Sequence, residues 1–189
     1  MRRLARARKQ SEGAALLEFA IVLPLLVVFI VGIYDFSGAF NQKQKIGHAA
    51  QEGAIAAGAQ PMTDMDPGSS TPPESLQPVL EVIFNSLSAN NVLPPGGSIG
   101  GCTVTPTHVG GFGLKWSYSI SDCSTDPLVI VVDRGVLVDP GPPASIRTTV
   151  KVSYPYHWRF NSVIQLLVPG AAYAPVTDLS ETATVHNQM

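Results

Sequence analysis

Ala14-Ala15-Leu16-Leu17-Glu18-Phe19-Ala20-Ile21-Val22-Leu23-Pro24-Leu25-Leu26-Val27-Val28-Phe29-Ile30-Val31-Gly32-Ile33-Tyr34 decides the fold of this chain. A helix rising about 1.5 Å per residue needs about 20 apolar residues to cross a hydrocarbon layer about 30 Å thick. This run reaches that length with one charged residue in it. The other apolar runs, Leu128–Val132 and Ile164–Val168, are short and read as pieces of buried strand or helix. A cleaved secretory signal is the alternative, with Ser37-Gly38-Ala39 as its small-residue cut site. Such signals have an apolar core of about 7–15 residues, so the longer run here favours a retained anchor.

Arg2, Arg3, Arg6, Arg8 and Lys9 crowd the nine residues at the N-terminus. Positive charge beside an apolar helix stays in the cytoplasm, which sends the C-terminal body outward. After Gly13 the chain has seven basic and thirteen acidic residues, a formal charge of −6. That balance excludes a nucleic-acid binder, which needs a basic groove or stripe. Cys102 and Cys123 are the only cysteines. Two thiols cannot build a four-ligand zinc site, and outside the cytoplasm a disulfide is their natural use; two buried free thiols are the alternative.

Glu18 sits about one turn inside the apolar run. A charge at the centre of a membrane helix costs about 2.5–3.5 kcal/mol, and nearer the end the cost is smaller but real. An intramembrane acid therefore marks a function and calls for a positive partner, unless it merely reaches the head groups. Pro24 removes the hydrogen bond to the Ala20 carbonyl and is expected to kink the helix, a change that membrane helices tolerate.

The basic cluster, Gly13, Ala14-Ala15-Leu16-Leu17 and Glu18-Phe19-Ala20-Ile21-Val22-Leu23-Pro24 together resemble the prepilin-type leader of type IV pilins. The fuller resemblance is to the TadE-like family of Tad-type pilus proteins. It continues through Gly32-Ile33-Tyr34-Asp35-Phe36 and Ala49-Ala50-Gln51-Glu52-Gly53-Ala54-Ile55-Ala56-Ala57, with weaker echoes at Val152–Tyr156 and Ala183–Val185. The chain departs from the family at Gln51 and Ile55, where arginines are common. The resemblance implies that a prepilin-type peptidase cuts between Gly13 and Ala14. It also implies that Glu18, fifth in the mature chain, pairs with the new amino group of Ala14 or of a neighbour and sets the register between subunits. The implied partners are the membrane, that peptidase, other pilin-like subunits and the pilus assembly platform.

Beyond Tyr34 helical spacing continues through Ile33, Phe36, Phe40, Ile46, Ala50, Ala54 and Ala57, which predicts a stalk to about Gln60 packed on other subunits or on its own head. Thr71-Pro72-Pro73-Glu74 reads as a helix start capped by Thr71, with Leu76, Leu80, Ile83 and Leu87 on one face. Alternation over Leu114–Ile120 and Ile146–Tyr154 predicts half-buried strands, and Thr182–His186 a last one. Leu128–Val132 and Val136–Val138 flank Asp133-Arg134-Gly135, read as a hairpin turn, and Phe160–Val168 as a short helix. The expected fold class is α+β: a long N-terminal transmembrane and stalk helix followed by a small head with an antiparallel sheet. The expected parts are a basic cytoplasmic leader (1–13), a transmembrane helix (14–34), its stalk continuation (35–60) and an extracytoplasmic head (61–189).

Gly96-Gly97-Ser98-Ile99-Gly100 matches the hydrolase pattern Gly-x-Ser-x-Gly but lacks the strand before and helix after that the chemistry needs. His48, His108, His157 and His186 lack metal-ligand spacing. No catalytic residue, metal, cofactor or small-molecule substrate is expected. Tyr154, Tyr156, Trp158 and Phe160 read as head core or as a membrane-near belt rather than a carbohydrate platform. The sequence thus supports a pilin-like structural or assembly subunit of a Tad-type pilus in the inner membrane. The alternative is a membrane-tethered binding or adhesion protein that enters no filament.

Overall fold

The computed structural model describes residues 2–65, 69, 71–110, 114–139, 145–160, 165 and 176–187, and within these the side chains of all but residues 2–12, 138, 139 and 145. One helix, α1, runs from Arg2 to Ala59 with Pro24 inside it. The chain forms two compact units, Met1–Ala39 with His157–Pro175 and Phe40–Tyr156 with Val176–Met189. α1 contributes to both.

The second unit is built on a five-stranded antiparallel sheet whose strands follow chain order: β1 (Thr103–His108), β2 (Lys115–Ser121), β3 (Leu128–Asp139), β4 (Ser145–His157) and β5 (Val176–His186). Period-2 alternation puts one face of this meander in the core. Trp116 stands opposite Val132, Tyr118 opposite Ile130 and Ile120 opposite Leu128, and on the next ladder Ile130 opposes Val152 and Val132 opposes Val150. All of these side chains are buried, while Lys115, Ser117 and Ser119 are half-buried on the other face. Pro106 sits in β1, an edge strand, where a missing N–H is tolerated.

Two helical faces cover that layer. α2 (Gln77–Ala89) buries Val79, Leu80, Ile83, Phe84 and Leu87, and α1 buries Ile46, Ala49, Ala50, Ala54 and Ala57 in the same cluster. The small residues of α1 let the helices approach closely. At Gly53 a Cβ would stand 2.4 Å from Ile83 Cγ1, so no larger residue fits without displacement. The stalk face therefore packs on its own head over Ile46–Ala57. Ile33, Phe36 and Phe40, expected on that face, are instead exposed, and Asp35 and Ala39 are the buried positions of that stretch. Apolar spacing alone does not distinguish a face turned to protein from one left for another apolar medium.

Two further expectations are corrected. Thr71 does not cap the helix after Pro73. Its N–H donates to Ser69 Oγ at 3.0 Å, and a 3-10 turn, Glu74–Leu76, precedes α2. A free N–H of that turn, Ser75 N, donates to Asp64 Oδ2 at 2.7 Å, so the cap comes from eleven residues upstream. Asp133-Arg134-Gly135 is not a hairpin turn, because β3 runs through it. Asp133 pairs with Thr149 and Val136 with Arg147, so β3 carries one extra residue there, a β-bulge. Gly135 suits the site because a Cβ would lie 2.7 Å from Leu114 Cδ1. The Gly96–Gly100 segment forms a turn and a 3-10 helix, Ile99–Gly101. The expected helix Phe160–Val168 lies, apart from Phe160 and Gln165, outside the described residues.

Candidate functional site

Gly13, Ala14, Glu18 and Pro24 all lie on α1. Ala14 and Glu18 are one turn apart on the same face, and both are exposed, as are the apolar side chains from Leu16 to Leu23. A Cβ added at Gly13 would meet nothing within 4 Å. Packing among the described residues therefore gives no reason for glycine there, although glycine weakens a helix interior by about 1 kcal/mol relative to alanine. α1 is long and apolar enough to cross a membrane, and none of its most apolar window is buried.

At the far end of the apolar run the helix meets the residues that leave β4. Asp35 is 2% exposed, and its Oδ2 accepts the backbone N–H of Phe160 at 2.7 Å. The rings of Phe36 and Trp158 are tilted against one another, with centroids 5.5 Å apart. Phe160 Cε2 lies 3.9 Å from where a Cβ on Gly32 would stand. A desolvated carboxylate needs a donor, and the chain supplies a main-chain one.

The model of the TadE-like protein family matches residues 13–54. This N-terminal segment is similar to that family. The match begins at Gly13, spans Glu18, Pro24 and Asp35, and ends beside the Gly53–Ile83 contact. The family is a structural one associated with Tad pili. No curated protein and no solved structure matches the chain.

Past the TadE-like segment, Cys102 and Cys123 are joined as a disulfide with a Cα–Cα distance of 5.1 Å, tying the start of β1 to the loop after β2. Arg134, which sequence reasoning assigned to a turn, is fully buried. The bulge aims it inward, where Nη1 donates to Pro61 O at 2.8 Å and Nη2 to Gln60 O. α1 has no basic residue in its last turn, so this guanidinium supplies, from the sheet, the positive charge that a helix C-terminus favours. Burial pulls Arg134 below its ordinary pKa, opposed by the charge of Asp64. Burial pushes Asp64 up, but the Ser75 amide and hydroxyl and the Arg134 charge outweigh it, leaving the carboxyl below its ordinary value. Tyr118, 4% exposed, is raised by burial and then by Asp64, so its phenol stays neutral. The sequence around Arg134, Asp133-Arg134-Gly135 between two apolar runs, has no feature that marks it as buried.

Proposed function

We propose that this chain is a pilin-like subunit of a Tad-type pilus or of its assembly machinery, held in the inner membrane by residues 14–34 with the head outside. The observation that carries the reading is the family match that begins at Gly13 and runs through the whole apolar segment. A prepilin-type peptidase removes residues 1–13 by cutting between Gly13 and Ala14. The freed amine of Ala14 then lies one turn from Glu18, so the carboxylate pairs with its own amine or with that of a neighbouring subunit. In lipid this pairing offsets the cost of an ionised acid and fixes the axial position of one subunit on the next. Glycine at position 13, unsupported by local packing, fits a residue chosen for the peptidase rather than for the helix.

The test is a pair of variants in cells carrying the pilus machinery. Gly13→Leu blocks processing, seen as a slower-migrating precursor. Glu18→Ala is processed normally but fails to support piliation. Normal piliation in both variants contradicts the reading. Normal processing of Gly13→Leu alone contradicts the cut site.

A further inference from the structure

We propose that Trp158, Arg159 and Phe160, where the chain leaves β4, form a second contact with the membrane, at the boundary between lipid head groups and acyl chains. The proposal rests on the anchor reading of α1 given above. Its observations come from the far end of the helix.

Three contacts fix the level at which these residues sit. Phe160 packs at Gly32, its N–H is taken by Asp35, and Trp158 lies against Phe36. Gly32 to Phe36 are 18–22 residues beyond Ala14, which at 1.5 Å per residue is about 27–33 Å along the helix. That is the thickness of the hydrocarbon layer, so residues 32–36 reach the outer face of a bilayer when Ala14 stands at the inner one.

The chemistry at this level suits an interface. Tyr34 and Phe36 are exposed on α1 at 69% and 70%, and Ile33 just before them is exposed as well. Trp158 and Phe160 are half-buried, and Arg159 between them is exposed. Trp and Tyr concentrate where an apolar ring and a polar edge are both accommodated, and an arginine there reaches phosphate with its guanidinium while its stem stays in the apolar layer. Asp35 accounts for the juxtaposition. A carboxylate at the end of a membrane helix is costly unless a donor meets it, and the Phe160 N–H meets it. The bond that satisfies the acid also holds the Trp158–Phe160 segment to the membrane face.

The chain has two tryptophans, and Trp116 is buried in the core of the second unit. Trp158 is therefore readable by difference. The full chain is reconstituted in phosphatidylcholine vesicles containing lipids brominated close to the glycerol end of the acyl chain or, to read the reporter at mid-bilayer, close to its methyl end, and tryptophan emission is compared with that in unbrominated vesicles. Three proteins are measured: the parent chain, Trp158→Phe, and Trp158→Phe carrying Leu25→Trp as a reporter within the anchor. The proposal expects the parent to lose emission and Trp158→Phe, with Trp116 alone, to lose none. If the parent and Trp158→Phe respond alike while Leu25→Trp is quenched, α1 is embedded but Trp158 is not at the interface, and the proposal is overturned with the anchor intact. If Leu25→Trp is not quenched either, the anchor reading fails and takes the proposal with it.

Discussion

Arg134 concentrates the physics of the head into one side chain. Its guanidinium is removed from water and meets two carbonyls just past the end of α1. Arg134→Met leaves both without their donor, and a buried unsatisfied polar group costs about 1–3 kcal/mol. The expected result is a loss of that size in denaturant unfolding in detergent, with Arg134→Lys intermediate because an ammonium cannot span two acceptors as a planar fork does. Asp64 gives a pH test. Its folded pKa is depressed, so its contribution is fully present above the unfolded carboxylate value of about 3.9 and is lost as pH falls through the lower folded value. Asp64→Asn should flatten the decline in melting temperature below about pH 4; an unchanged slope contradicts the role given to Asp64. Neither residue was legible in the sequence. Asp133-Arg134-Gly135 has the composition of a turn, and only the approach of Leu114 to Gly135 and of Gln60 to Arg134, across 21 and 74 positions, makes it a bulge. Thr71 failed as a cap for a similar reason: Asp64 reaches the free amide first.

At the scale of elements, packing of α1 on α2 depends on the missing side chain at position 53. Gly53→Ala drives a methyl to within 2.4 Å of Ile83 Cγ1, and overpacking of this kind costs about 1–3 kcal/mol. Pairing it with Ile83→Val removes the far methyl and should recover part of the loss, read as a non-additive double-mutant cycle. Simple additivity contradicts the contact. Reduction of Cys102–Cys123, which closes a separation of 21 residues, should destabilise the head by about 2–4 kcal/mol. Elements were largely legible. A 21-residue apolar run permits little but a helix, and the alternation of β2 and β4 follows from burying one face. What periodicity could not supply was the destination of each apolar face. Ile46 and Ala50 are buried in the core, while Ile33, Phe36 and Phe40 on the same helix are exposed. Apolar residues meant for lipid and for a protein core have the same composition, and only the tertiary partners separate them.

For the whole molecule, the proposed function puts the apolar half of α1 in a bilayer and leaves its orientation to the charge asymmetry of its flanks. Five basic residues precede the run and a formally acidic body follows it. The assignment explains why so many large apolar side chains, from Leu16 to Phe36, are uncovered in the chain by itself. It also gives Glu18 a partner that exists only after processing, the amine of Ala14. The most direct measurement is N-terminal sequencing of the protein recovered from the membrane fraction of cells that carry the prepilin-type peptidase. The proposed function predicts a mature chain that begins at Ala14 and stays membrane-bound. An intact Met1, or a chain that begins near Ala39 and is released from the membrane, would contradict it.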